Sequence, residues 1–284
     1  MRTILVTGAT GFVGRHLIQS IRSADYRIIA LGRSIQFMDR CPWLDGTTKL
    51  ECDPLTETLD DLPSFTGPAP DWLVHLAWGD VGNNHSLDHF EKSMTGSWRF
   101  IRSCVGAGIR NVMVSGTCLE YGMQSGGLSA NLPPNPVTAY GIAKDGLRRQ
   151  LQYLQRQTPF QLVWGRIFYM WGEGQNPRSL IPSLNLAVRQ RQASFLMSGG
   201  EQERDFIPAA EGGRQLADLL NSEHPGATLL ANVCSGHPTK IKTFVENYLQ
   251  HSDWRPKLDF GAIPYSTSEP MSFWGIPEAQ LAQS

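Results

Sequence analysis

Thr3-Ile4-Leu5-Val6-Thr7-Gly8-Ala9-Thr10-Gly11-Phe12-Val13-Gly14 is the stretch that decides the fold. Its first half is a short, unbroken run of apolar and β-branched residues bounded by Gly8, which suits a strand buried on both faces of a parallel sheet. Such a strand needs a helical crossover. Helical spacing follows at Phe12, Val13, Leu17, Ile18 and Ile21, and Arg27-Ile28-Ile29-Ala30-Leu31 returns to strand character, so the opening reads as a βαβ unit. Glycines at a strand-to-helix turn let the backbone fold tightly and approach a pyrophosphate, which the helix amides and dipole then hold. The spacing of Gly8, Gly11 and Gly14 is Gly-x-x-Gly-x-x-Gly. It lacks the Gly-Lys-Ser/Thr ending of a kinase-type phosphate loop and differs from the Gly-x-Gly-x-x-Gly of common dehydrogenases. The competing reading is that the glycines only permit close helix-strand packing.

Outward from this unit the alternation continues through Trp72-Leu73-Val74-His75-Leu76, an amphipathic stretch from Phe90 to Val105, the strand Asn111-Val112-Met113-Val114-Ser115, a helix after Pro136, and Gln161-Leu162-Val163-Trp164. The pattern predicts an α/β fold, a Rossmann-like doubly wound parallel sheet. After about residue 165 it loosens around Gly172-Glu173-Gly174 and Ser198-Gly199-Gly200. We therefore expect a dinucleotide-binding domain over 1–165 and a smaller, partly interleaved substrate lobe over 166–284, with some later segments returning to the first. The stretch from Gly122 to Pro136, rich in Gly, Ser, Asn and Pro, reads either as a surface loop or as a border of the active site.

Composition narrows the class. With 284 residues, 41% of them hydrophobic, the chain can bury a large core without disulfides or metal. A net charge of -1 without any basic run offers no footprint for nucleic acid or an anionic membrane, so a small molecule is the expected partner. Cys41, Cys52, Cys104, Cys118 and Cys234 form no Cys-x-x-Cys pair and no zinc spacing, and read as reduced cytosolic thiols. The apolar run after Met1-Arg2 is too short for a membrane span and has no cleavage pattern. The expectation is a soluble, cytoplasmic protein.

Three sets of residues carry chemistry. After the second strand stand Arg33 and Ser34, where an Asp or Glu would accept from a ribose 2′-hydroxyl; cationic and hydroxyl donors instead favour the 2′-phosphate of NADP(H), with NAD(H) left open. Asp53, after the third strand, is either an acceptor for the adenine amino group or a loop cap. Tyr140 and Lys144 are four apart on a helix, so phenol and ammonium share one face, where the ammonium and a cationic nicotinamide would favour the phenolate. The alternative is a packed Tyr beside a solvated Lys. The third set is Ser115-Gly116-Thr117-Cys118-Leu119-Glu120-Tyr121-Gly122, at the carboxyl end of strand five, facing the crevice of a doubly wound sheet.

In this order the motifs resemble the extended short-chain dehydrogenase/reductase family, in its nucleotide-sugar epimerase, dehydratase and ketoreductase branch. The likeness extends to His75-Leu76-Ala77, Arg166-Ile167-Phe168 followed by Trp171-Gly172, Gly174-Gln175, Arg204-Asp205-Phe206 and Asn232-Val233-Cys234-Ser235-Gly236. The resemblance implies that Tyr140 is the acid-base group, that Lys144 orients the nicotinamide ribose and lowers the Tyr pKa, and that Thr117 binds the sugar oxygen. It also implies that Gly8, Thr10, Gly11, Phe12, Val13, Gly14, Leu76 and Ala77 line the dinucleotide and that Arg204 holds the substrate diphosphate. Where 4,6-dehydratases place Asp-Glu after the catalytic Thr, this chain has Cys118-Leu119, which argues against dehydration. Ser93 stands for an expected Asn beneath the site, and Tyr169 for a substrate-facing Asn. The tail Glu269-Pro270-Met271-Ser272-Phe273-Trp274-Gly275 looks like that of 4-keto-6-deoxyhexose reductases. The leading expectation is an NADPH-dependent reductase of a nucleoside-diphosphate 4-keto-6-deoxyhexose; an NAD-dependent 4-epimerase and a non-catalytic dinucleotide sensor are the alternatives. No metal is expected. The resemblance further implies a homodimer built on the helices around Phe90 to Val105 and Ala139 to Leu154.

Overall fold

The computed structural model describes residues 1–21, 26–61, 68–221 and 226–277. Among these, seven parallel strands form the central sheet: β1 (Arg2–Thr7), β2 (Tyr26–Gly32), β3 (Thr48–Glu51), β4 (Trp72–His75), β5 (Asn111–Thr117), β7 (Gln161–Ile167) and β11 (Thr228–Val233). Shorter strands complete the chain order: β6 (Gly126–Leu128), β8 (Tyr169–Trp171), β9 (Ser194–Leu196), β10 (Glu203–Pro208), β12 (Pro238–Lys240), β13 (Lys257–Asp259) and β14 (Phe273–Gly275). The helices are α1 (Phe12–Ile21), α2 (Ile35–Met38), α3 (Thr95–Gly106), α4 (Ala139–Gln155), α5 (Leu180–Arg189), α6 (Ala209–Leu219) and α7 (Ile241–Leu249).

The large sheet runs β11-β7-β5-β4-β1-β2-β3, so the winding reverses between β1 and β4. A crevice opens beyond the carboxyl ends of the strands at such a point. Both faces of the sheet are covered, which explains the unbroken apolar strands. Ile4 and Val6 of β1 point into a cluster with Leu17, Ile18 and Ile21 of α1 and Leu216 of α6. Leu5 points the other way, toward Phe100 and Ile101 of α3 and Leu147 and Leu151 of α4. All of these side chains are fully buried or nearly so, each contributing roughly 1.5–3 kcal/mol of transfer free energy.

The predicted helix from Phe90 to Val105 is two elements. A π-helical turn, His89–Met94, precedes α3. The Thr95 hydroxyl donates to the Phe90 carbonyl five residues back, and Ser93 Oγ accepts from the Gly79 amide, so the wide turn is held to the loop after β4. Past residue 167 the chain builds the small sheet β12-β10-β8 and the pair β13-β9, while β11 and α6 return to the central sheet.

The tail closes the molecule as a strap. β14 pairs in parallel with β6, and Phe273 packs against Phe168 and Cys118. Asn232 donates to the Leu128 and Ile276 carbonyls, while the fully buried Asp205 carboxylate accepts from the Ser235, Gly236 and Gly275 amides. No described helix is long and apolar enough to cross a membrane.

Candidate active site

Gly8 sits in the left-handed region at φ +67, where a β-carbon would lie 2.7 Å from the Ala77 amide nitrogen. At Gly14 a β-carbon would lie 2.3 Å from the Gly8 carbonyl oxygen. The glycines thus serve both ends of the turn: one admits the end of β4, the other seats α1. Thr7 joins the two strands. Its Oγ1 accepts from the Leu76 and Ala77 amides, each at 3.2 Å, so its own proton goes to His75 Nδ1 at 3.0 Å. His75 then carries its hydrogen on Nε2 and donates it to Ser97 Oγ at 2.9 Å. Burial, helped by Lys144, pushes the His75 pKa down to about 3, so this relay between the switch-point strands and α3 stays neutral.

Above the turn lies a cleft of about 1160 Å3, more than one drug-sized ligand requires. Gly8, Thr10, Gly11, Phe12, Val13 and Gly14 line one end with Leu76 and Ala77. Arg33 is exposed at the rim of that end. Ser34, expected to touch the dinucleotide, is not on the cleft wall: its Oγ accepts from the Phe37 amide and caps α2. Asp53 is on the wall, and its Oδ1 also accepts from the Leu55 amide, so the two readings of this residue coexist.

At the middle of the cleft α4 presents Tyr140 and Lys144 one turn apart. Thr138 caps that helix through the Gly141 amide, and the Tyr140 amide donates to the Asn84 carbonyl. Lys144 is buried, donates to the Ser115 carbonyl at 2.8 Å and lies 3.9 Å from the Trp78 ring centroid. Trp78 in turn donates to His89 Nδ1 while His89 Nε2 donates to the Asn83 carbonyl, and the His89 ring stands 5.0 Å from that of Tyr140. Trp78 and His89 were not read from the sequence as site residues. The signal was position: Trp78 directly follows Ala77, and His89 opens the π-helical turn.

Burial dominates the environment of the phenol. Burial pushes Tyr140 well above its ordinary value, Glu120 and Cys118 add to this, and a hydrogen bond with the Thr117 side chain opposes it. Burial also drives Lys144 down to about 7 from 10.5, with Glu120 opposing. The site therefore holds a protonated phenol at neutral pH. The lowered Lys144 pKa also costs stability. Between pH 7 and 10.5 the unfolded chain binds the proton and the folded chain releases it, so stability rises with pH in that window and the penalty is complete below pH 7. Lys144→Met should raise Tm relative to the native chain more at pH 6 than at pH 9; an equal shift at both pH values in melting curves would refute this.

Thr117 is placed by Glu120, also missed from the sequence. Glu120 Oε1 accepts from the Thr117 amide at 2.8 Å and from Trp164 Nε1 at 3.0 Å, while Oε2 accepts from Arg166 Nε at 2.8 Å. Glu120 and Arg166 are fully buried.

At the far end of the cleft Arg204 lines the wall. This guanidinium is 2% exposed and donates to Glu269 Oε2 through Nε and Nη2 and to the Glu203 and Met271 carbonyls through Nη1. Tyr169 also donates to Glu269 Oε2, at 2.5 Å. All three side chains line the cleft. Among the described residues no His/Cys/Asp/Glu cluster suits a metal.

The fold and this cleft define a dinucleotide-binding α/β enzyme. The family model described as "NAD dependent epimerase/dehydratase family" matches residues 4–237, and the chain belongs to that family. Its relatives are oxidoreductases and epimerases of nucleotide sugars. The chain is 28% identical over 275 residues to a dTDP-6-deoxy-L-talose 4-dehydrogenase (NAD(+)) of Aggregatibacter actinomycetemcomitans, covering 96% of this chain and 98% of that one. It is 24% identical over 247 residues to a dTDP-4-dehydro-6-deoxy-D-allose reductase of Streptomyces bikiniensis, covering 78% and 73%. Among solved structures, UDP-glucuronic acid 4-epimerase from Bacillus cereus, in complex with UDP-glucuronic acid and NAD, superposes with a TM-score of 0.81 at 20% identity, covering 99% of this chain and 92% of that one.

Proposed function

We propose that the chain reduces the 4-keto group of a nucleoside-diphosphate 4-keto-6-deoxyhexose, drawing on NADPH. The observation that carries this reading is the meeting of Tyr140, Lys144 and Thr117 on the wall of one cleft with the glycine turn. Gly8, Thr10, Gly11, Phe12, Val13 and Gly14 with Ala77 and Arg33, which line one end of the cleft at the start of α1, would hold a nicotinamide dinucleotide, which supplies the hydride when bound. Tyr140 donates its proton to the forming alkoxide, and Thr117 hydrogen-bonds the same oxygen, stabilising charge where it develops. Lys144, fixed between Ser115 and Trp78, holds the cofactor ribose side of the phenol. Cys118 and Leu119 provide no carboxylate for eliminating water. Arg33 forms no ion pair among the described residues and is the cation available to a 2′-phosphate. The 4-dehydrogenase and 4-keto reductase relatives act at the same sugar carbon, in opposite directions of one chemistry.

UDP-glucose 4-epimerases are also among the relatives, for example one from Neisseria meningitidis at 22% identity, and use of a retained dinucleotide is the second reading. A panel of 4-keto-6-deoxyhexoses on thymidine, cytidine, guanosine and uridine diphosphates separates the two. We expect one 4-hydroxy product by NMR per NADPH oxidised, with kcat/KM for NADPH at least about tenfold above that for NADH, a gap of about 1.4 kcal/mol that Arg33→Ser removes. Interconversion of 4-hydroxy epimers without net NADPH consumption would establish the epimerase.

A further inference from the structure

We infer that Trp78 and His89 are positioning residues for α4: the Trp78 ring face holds the Lys144 ammonium where a counter-ion would otherwise stand, and His89 locks that ring. The inference deepens the proposed function and rests on its reading of Tyr140 and Lys144 as the reacting centre.

Lys144 is buried, and among the described residues its ammonium makes no ion pair; the Ser115 carbonyl takes one N–H at 2.8 Å. A buried charge without a carboxylate partner is costly, so the group that faces it decides how well it is held. That group is the Trp78 ring, with its centroid 3.9 Å from Nζ; the Tyr140 ring is farther, at 5.8 Å. Within such a distance the negative face of an aromatic ring attracts a cation, and Trp does so best. A carboxylate would also hold the ammonium, but it would set a negative charge beside the phenol that has to give up its proton. A ring face holds the cation and adds no net charge.

The ring is fixed in its turn. An indole N–H only donates, so its 3.0 Å bond to His89 Nδ1 puts the imidazole hydrogen on Nε2, which donates to the Asn83 carbonyl at 2.9 Å. The Trp78 and His89 rings are 6.3 Å apart and 28° from parallel, and His89 also stands 5.0 Å from the Tyr140 ring. His89 is fully buried at the start of the π-helical turn, and Ser93 of that turn accepts from the amide of Gly79, the residue after Trp78. Further along the same segment the Asn84 carbonyl accepts from the Tyr140 amide, in the first turn of α4. The chain from Trp78 to His89 thus meets α4 at two points one turn apart: a ring face at Lys144 and a carbonyl at Tyr140. Trp78, Tyr140 and Lys144 all line the cleft, so this contact lies at its surface and not in the core behind it.

The experiment reads the ammonium directly, by NMR titration of the chain labelled with 13C at lysine Cε, the Lys144 signal being identified by its loss in Lys144→Met. The titratable groups around Lys144 are Glu120 from the turn after β5, His75 at the end of β4, His89 of the π-helical turn and Tyr140 of α4, and none of them is altered in Trp78→Leu. Removing the ring face should lower the pH at which Lys144 loses its proton by at least about half a unit, and should slow single-turnover hydride transfer at pH 7 by about tenfold. Trp78→Phe, with a weaker face, should fall between the native chain and Trp78→Leu in both readouts. His89→Asn, whose Oδ1 can still accept the indole N–H, should stay close to the native chain, whereas His89→Leu should move both readouts in the direction of Trp78→Leu. An unmoved or raised Lys144 titration in folded Trp78→Leu overturns the inference. Should Trp78→Leu not fold, an unmoved titration in both Trp78→Phe and His89→Leu overturns it equally. The titration needs no substrate, so a lowered Lys144 titration in a chain that oxidises NADPH with no sugar of the panel overturns the reductase reading beneath the inference and not the hold on Lys144.

Discussion

Tyr140→Phe should lower the rate of hydride transfer by about 10²–10⁴-fold, the usual contribution of a positioned general acid, while the affinities for dinucleotide and nucleotide sugar stay within about twofold. The substitution removes one oxygen and keeps the ring that packs at 5.0 Å from His89 and 6.0 Å from Trp78, so the wall of the cleft is preserved. What is lost is the proton donor on the cleft wall beside Thr117. Single-turnover measurements with preloaded NADPH separate chemistry from product release, and calorimetry reports binding. The pH profile adds a second check. Because burial holds the phenol above its ordinary value, ionisation of Tyr140 should cause no loss of the reductive rate between pH 6 and about 9. A rate in Tyr140→Phe equal to that of the native chain would remove Tyr140 from the mechanism.

Much of this architecture is legible in the sequence, and the reasons are local. β1 and α1 announce themselves because apolar period and glycine position coincide; the structure returns α1 over Phe12–Ile21, the span of the helical spacing. The helix carrying Tyr140 and Lys144 was equally plain, and the structure places both on the cleft wall with Thr117 and Arg33. What stayed hidden depends on contacts between distant segments. Arg204 and Glu269 are 65 residues apart, and nothing in either neighbourhood signals that one neutralises the other. Ser34 has a donor suited to a phosphate, yet its backbone position at the start of α2 turns the hydroxyl into a cap. The burial of Tyr140 is not legible in a spacing of four, because the whole cleft wall sets it.

The same blindness to distant partners conceals the largest expected effect on stability, at Glu120. In Glu120→Gln the amide oxygen can still accept from the Thr117 amide, but its NH2 group must face Arg166 Nε or Trp164 Nε1, which are donors. Arg166 would then be a fully buried cation with one carbonyl partner, Ala130, the Tyr121 ring face, and an Nη2 that has no hydrogen bond even in the native chain. Breaking a buried pair from one side costs about 3–5 kcal/mol, so Tm should fall on the order of 10 °C. Removing both partners is different, because apolar groups of similar volume often replace a buried pair without loss. Glu120→Val with Arg166→Met should therefore recover most of the lost Tm. It should not recover turnover, since the Thr117 amide has lost the carboxylate that fixes the start of the 3-10 turn Cys118–Tyr121, and with it the hydroxyl that meets Tyr140. Thermal melts and kcat on the three proteins decide the matter. If Glu120→Gln melts within 2 °C of the native chain, or if the double variant regains full turnover along with its stability, Glu120 neither balances Arg166 nor positions Thr117.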